Sequence, residues 1–265
     1  MSRAGVRRAG ERAETRALPV YGAGDLEVPF VIRGMSEELE RETAWEPHSH
    51  PTHELLWNQR GASTATIDSR VWTITPSLGL WIPAGTLHTG YAGAGTWYRT
   101  AHFGVHAIEP IAEEPVAVQI TPLLRLLLDR LAEPELAEES RALTERMVLD
   151  VLKPADACLI VQAPQGRLLR PIVEALDRDP ADARTLGEWA EALGVSPRTI
   201  TRAFHAETEL SFSQWQAAIR AQRAVMLLAE GMPVEEVAER VGYASASAFG
   251  AAFRRTTGWT PSRFR

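Results

Sequence analysis

Cys158 is the only cysteine and Lys153 the only lysine in 265 residues. One thiol cannot close an internal disulfide, so a small oxidised scaffold is excluded and a reducing compartment fits. The remaining 27 basic residues are arginine, which reads as a genomic composition bias rather than a functional choice. No apolar run approaches the roughly 20 residues that a bilayer requires, which excludes a helical membrane protein and points to no membrane partner. Arg3, Arg7, Arg8, Arg12 and Arg16 lack a hydrophobic stretch behind them, unlike a secretory signal. The amino terminus therefore reads as a disordered arm or an overlong start, and the cytoplasm as the compartment. Excess positive charge is missing too, with a formal net charge of -6. The balance is uneven: residues 1–180 carry 18 basic and 25 acidic side chains, or -7, whereas residues 181–265 carry 10 and 9, or +1. Any affinity of that tail for nucleic acid must come from placed arginines, not from a basic cloud.

What is present suits a globular chain of more than one domain, with 45% hydrophobic and 23% charged residues. Residues 1–17 read as the flexible arm. Over 18–120, short β-branched and aromatic runs broken by Gly, Pro and Asn predict a small all-β sandwich or barrel. Ser63 to Asp68, Val71 to Thr75, Leu80 to Ile82 and Trp97 to Phe103 are its clearest strands. Thr121-Pro122 marks a switch to helix, and residues 121–166 form a helical segment and linker. Leu123, Leu124, Leu127, Leu128 and Leu131 keep a helical period, followed by Leu143, Met147, Val148 and Val151. Such a stripe must be buried, either against the β-domain or in a homodimer. Pro154, Pro164 and Gly166 mark the linker, with one short strand from Cys158 to Val161. Helices fill residues 167–265.

That last segment contains one pattern twice. Leu186, Trp189, Ala190 and Leu193 form a helical stripe closed by Gly194, after which Ser196-Pro197 opens a helix with Ile200 and Phe204 facing inward. Val234, Val237, Ala238 and Val241 repeat the stripe before Gly242, and Ser245 opens a helix with Phe249 and Phe253. Glycine tolerates the left-handed turn, serine caps the next helix, and proline suits its first turn. This is a tandem helix-turn-helix. The segment from Ser213 to Ala229 joins the copies as a rod of roughly 25 Å, fit to hold two reading helices near one duplex turn apart, about 34 Å.

The stretches LGEWAEALGVSPRTITRAF, SFSQWQAAIRAQRAVMLLAEG and VEEVAERVGYASASAFGAAFRRTTGWTPSRFR resemble the AraC/XylS family of transcription regulators. The resemblance implies sequence-specific binding to double-stranded DNA, with RNA polymerase as a partner. One departure is Glu209, where many members carry glycine after the first reading helix, which puts the shape of that turn in question. On an ideal helix from Pro197, Arg198, Thr201 and Arg202 project together, away from Ile200 and Phe204, and the family places these positions in the major groove. Arginine can donate twice to guanine O6 and N7, or it can contact only phosphate. Ser196 and Thr199 complete the first candidate surface. The second helix offers Ser245, Ala246, Ser247, Ala248 and Ala251, which have few donors or acceptors for base edges, with Arg254 and Arg255 on its last turn. The expected reading is asymmetric: the first helix specifies and the second positions.

In HSHPTHELLWNQRG, His48, His50 and Glu54 share strand parity, so on one β-strand they face the interior together while His53 faces away. PAGTLH adds His88 from a neighbouring strand. These stretches resemble the two motifs of the cupin superfamily, whose metal sites use three histidines and one glutamate. Ser77 stands where glycine is usual, and no asparagine follows His88. Imidazole plus carboxylate suits a divalent first-row metal. The same four groups could instead line a metal-free pocket for an organic effector, with Trp45, Trp57, Trp81 and Trp97 as its walls or as ordinary core. His102 and His106 read as structural.

The expected architecture is thus a multidomain α and β chain: a cupin-like β-barrel, a helical dimerisation and linker segment, and an all-α tandem helix-turn-helix domain. The function it implies is transcription regulation controlled by a small-molecule effector or by a metal ion acting as the effector itself, without catalysis. The alternative is a metal-dependent cupin dioxygenase or isomerase fused to a DNA-binding domain.

Overall fold

The computed structural model describes residues 13–155 and 158–264. The arginines at 3, 7, 8 and 12 and most of the expected arm lie outside them. Two sheets face each other. One runs in the order β1 (Glu14–Arg16), β3 (Thr43–His48), β8 (His88–Ala92), β5 (Ser63–Ile67), β6 (Arg70–Ile74), β11 (Ile160–Gln162). The other runs β10 (Val116–Gln119), β7 (Leu78–Ile82), β4 (His53–Arg60), β9 (Trp97–Phe103), β2 (Ile32–Glu38). Alternation drives this arrangement: in β5, Ser63, Ala65 and Ile67 are buried while Thr64 and Thr66 are half-buried. Asp68 leaves the strand for a left-handed turn at φ 55° and starts the hairpin back into β6.

Residues 14–16 correct the expectation of a free arm through residue 17. They pair in parallel with Thr43–Trp45. Arg16 forks onto both Glu37 carboxylate oxygens at 2.8 Å and lies 5.7 Å from the Trp45 ring centre. The linker strand is β11 rather than Cys158 to Val161, and it closes the edge of the first sheet by pairing with β6.

Helices α1 (Pro122–Leu131) and α2 (Glu138–Val151) cover the outer face of the second sheet. Thr121 caps α1 by accepting from the Leu124 amide, and proline occupies its first turn. Leu124, Leu127, Leu128, Leu131 and Val148 are buried with Leu55, Trp57, Trp81, Ala101 and Phe103. At about 25 cal/mol per Å² of apolar area removed from water, such a layer is a major source of stability for the domain. The opposite faces leave Leu123, Leu126, Leu143 and Met147 exposed.

The remaining helices are α3 (Arg170–Arg178), α4 (Leu186–Leu193), α5 (Pro197–Thr208), α6 (Phe212–Ala229), α7 (Val234–Arg240) and α8 (Ala246–Thr257), before a short 3-10 turn at Pro261–Phe264. Thr185 and Glu188 form a reciprocal capping box on α4, as Ser211 and Gln214 do on α6. Trp189, Ile200, Phe204 and Trp215 bury the first helix-turn-helix around α6, and Val237, Phe249 and Phe253 bury the second against its far end.

Candidate functional site

The DNA-facing candidates sit on two similarly built corners. Gly194 takes φ 65° after α4, and Ser196 caps α5 by accepting from the Thr199 amide at 3.2 Å. Gly242 takes φ 81° after α7, and Ser245 caps α8 by accepting from the Ala248 amide at 3.2 Å. At Gly242 an added Cβ would sit 2.9 Å from Ala181 Cα, so glycine is needed there for space as well as conformation. Glu209 resolves the question raised by its departure from glycine. The turn keeps its left-handed form, with Glu209 itself at φ 61° and its amide donating to the His205 carbonyl. A non-glycine residue bears strain in that region.

On α5, Arg198, Thr199, Thr201 and Arg202 are all exposed, opposite the buried Ile200 and Phe204. Their hydroxyls are already occupied. Ser196 and Thr199 share a bond of 2.9 Å, and Thr201 donates back to the Pro197 carbonyl at 3.0 Å. Arg198 and Arg202 have no hydrogen-bond or ion-pair partner among the described residues, leaving both guanidinium groups free to engage a ligand. On α8, Ser247, Ala248, Ala251, Arg254 and Arg255 are exposed, and Ala246 is half-buried.

The second candidate site lies between the two sheets, where a cavity of about 230 Å³ opens. The single-strand reading of its ligands needs correction. His48 ends β3, residues 49–52 turn, and Glu54 lies in β4, so the turn and the β3–β8 pairing gather the groups. The nitrogens of His48, His50 and His88 lie within 4.8 Å of one another. Glu54 Oε2 lies 3.5 Å from His88 Nε2 and 3.6 Å from His50 Nε2, buried and without a hydrogen-bond partner. His48 Nδ1 donates to the Glu46 carbonyl at 2.7 Å and His88 Nδ1 to the Thr86 carbonyl at 3.0 Å, given the tautomers that leave both Nε2 lone pairs facing the cluster.

Burial holds these imidazoles uncharged at neutral pH. His50 is pushed down to about 3, first by desolvation and then by the rings of His102, His88 and His48. His88 falls to about 4 by desolvation, and His48 is lowered for the same reason. Desolvation pushes Glu54 up to about 7. The Glu54–histidine approaches are therefore not ion pairs at neutral pH. They are unprotonated donors around a buried, unsatisfied carboxylate oxygen, a set that fits a divalent cation.

Only one expected tryptophan wall belongs to the cavity. Trp45 lines it, packing where a Cβ on Gly90 would come within 3.1 Å of the indole. Trp57 and Trp81 point the other way, into the layer under α1 and α2, and Trp81 donates to the Ala112 carbonyl at 3.2 Å. Trp97 donates to Ser36 Oγ at 2.7 Å, away from the cavity. Strand parity explains the correction: Glu54 and Leu56 face the cavity, so Trp57 cannot. His53 also faces outward, stacked on Trp81 at 5.2 Å.

His102 corrects the structural assignment made from sequence. It is directly paired with Glu54, lines the cavity and lies 5.0 Å from the His50 ring, with Nδ1 3.0 Å from Thr52 Oγ1. Desolvation lowers it to about 4. The signal was available, since Tyr98, Thr100 and His102 share one parity of the Trp97–Phe103 run and all three line the cavity. Leu18, carried in by β1, borders the same space.

A family model described as a helix-turn-helix domain matches residues 189–265, and one described as an AraC-like ligand binding domain matches residues 33–152. The HTH-type transcriptional regulator NimR of Escherichia coli is 29% identical over 250 residues, covering 89% of this chain and 86% of that protein. The HTH-type transcriptional regulator RipA of Corynebacterium glutamicum is 33% identical over 217 residues, covering 79% of this chain and 61% of that protein. Among solved structures, ToxT of Vibrio cholerae overlays with a TM-score of 0.36 at 11% identity, over 88% of this chain and 96% of that one.

Proposed function

The chain belongs to the AraC/XylS family of DNA-binding transcription regulators with an amino-terminal ligand-binding domain, and on that premise we propose how its two halves divide the work. Arg198 and Arg202 read base edges from the major groove. Ser196, Thr199 and Thr201 shape the amino-terminal end of that helix. The α8 surface, from Ser245 through Ala246, Ser247, Ala248 and Ala251 to Arg254 and Arg255, holds the phosphate backbone and sets register. The observation that carries this reading is the unpaired state of two arginines on an exposed helix face whose hydroxyls are internally bonded. Kinship with named regulators gives no support to the alternative of a cupin enzyme.

In the barrel, His48, His50, Glu54 and His88 hold a divalent first-row cation, and Trp45 bounds the space left for a small organic effector. When bound, the ion would supply Lewis acidity and open coordination positions. His102 stands beside that space as a hydrogen-bonding group. A cavity of about 230 Å³ suits a small effector. Burial keeps the imidazoles free of protons, and the unsatisfied Glu54 oxygen, which burial alone holds partly protonated, would take up its negative charge on meeting a cation. The regulator works in the cytoplasm as a homodimer, joined through the exposed apolar faces of α1 and α2, and it acts on RNA polymerase at its promoters. Among the described residues, no helix is long and apolar enough to cross a membrane.

Cobalt(II) titration followed by visible absorption tests the cation site. Wild-type protein is expected to take up one equivalent with tetrahedral or five-coordinate bands, and His88→Ala to lose them while keeping its fold. A folded wild-type protein that shows no such bands would leave the four groups as a metal-free effector pocket.

A further inference from the structure

The sheet that walls the cavity also carries the DNA-reading half on its other side. Gln222, in the middle of α6, is 9% exposed, and its amide donates to the Val71 carbonyl at 3.3 Å and to Thr73 Oγ1 at 2.9 Å. Thr73 pairs directly with Thr64, and Thr64 with Tyr91. Directly paired residues project from the same face of a sheet, so these three side chains share the face against α6. Tyr91 agrees, since it feels the charges of Arg223 and Glu230. The alternate residues Ser63, Ala65, Gly90 and Ala92 line the cavity on the side that receives His88, and the lining takes in Thr64, Thr89 and Tyr91 of the same two strands as well. One layer of backbone separates the two.

The core is continuous across this boundary. Ala65, Trp72 and Ile74 of the barrel belong to the same buried cluster as Val225, Leu228 and Phe249. A second tie lies at the sheet edge, where Trp215 of α6 donates to the Gln162 carbonyl of β11 at 2.8 Å. α6 is also the shared support of both helix-turn-helix units, packing Trp215 against Phe204 in one and Leu228 with Phe253 in the other. A buried amide that answers two acceptors on one strand fixes register in a way that an apolar residue would not.

We propose that the barrel governs the DNA-reading half through this sheet: a change on the cavity face of β5 and β8 passes across one layer of backbone to α6, and so to the placement of the two reading helices. The proposal rests on the cavity as the effector site, but the coupling exists without any occupant and can be measured in the free protein.

Hydrogen–deuterium exchange of the full chain provides the test. Gly90→Ala disturbs the cavity face by pressing a methyl on Trp45, whereas Thr73→Val removes the outer acceptor without entering the cavity. Both are expected to speed exchange of the amides in 219–228 by about fivefold or more, the lower end of coupling between linked sites. Met35→Ala, which touches the cavity from the opposite sheet, should leave them at the wild-type rate. Wild-type exchange of α6 in Gly90→Ala or in Thr73→Val overturns the proposal, as does equal acceleration in Met35→Ala, which would signify general loosening. If Gly90→Ala does not fold, His88→Ala, which alters the same cavity face of β8, takes its place with the same expectation. Coupling in a protein that takes up no cobalt would contradict the metal reading alone, and cobalt uptake without coupling would contradict this proposal alone.

Discussion

Single side chains carry the proposed division between reading and holding. Arg198 and Arg202 share the exposed face of α5, where the neighbouring hydroxyls are spent on the helix itself. Glu209 shows the opposite case, a residue that serves geometry at a cost. Its φ of 61° puts a side chain where glycine would be at ease. Glu209→Gly is expected to raise stability by about 1 kcal/mol, because the strain removed exceeds the extra freedom given to the unfolded chain. Urea unfolding followed by circular dichroism would register this as a higher midpoint; an unchanged or lower midpoint would show that the turn bears no strain. Arg198 and Arg202 could be picked out from helical spacing alone. His102 also lay within reach, because its parity matches that of Thr100, but it stands outside the two motifs that carry the cupin resemblance.

Secondary-structure elements explain where the sequence reading succeeded and where it fell short. Serine caps and left-handed glycines are local chemistry, so both helix-turn-helix units could be read directly from spacing. Which face of a strand meets which layer is not local. Trp57 and Trp81 looked suited to an effector pocket until β4 and β7 turned them toward α1 and α2. The same layer divides the leucine stripe. Leu124, Leu127, Leu128 and Leu131 are spent on the barrel, whereas Leu123, Leu126, Leu143 and Met147 remain exposed. Large apolar side chains gathered on one helical pair suit a second copy of the chain. Leu126→Glu, a charge placed on the 66%-exposed centre of that face, should convert the proposed dimer to monomer in sedimentation velocity without loss of helix content. A variant that sediments like wild type would place any dimer contact elsewhere.

Across the whole molecule, the least legible feature was the placement of the two halves. Gln222 and Thr73 are 149 positions apart, and nothing in either local pattern announces that they meet. The composition suggested a chain of separate modules, but the buried core runs from the barrel into the second reading unit. The formal charge of -6 fits this picture. A chain without excess positive charge gains less from indiscriminate phosphate contact, and more of its selectivity must come from a few directed donors. The deciding measurement is the ratio of affinities, at one fixed salt concentration, for a duplex selected by the wild-type chain from a random pool and for its scrambled counterpart. Arg202→Ala is expected to lose about 1–3 kcal/mol on the selected duplex, with relaxed preference at one base position, and almost nothing on the scrambled one. Equal losses on both would make Arg202 a phosphate contact and contradict the assignment of sequence reading to α5.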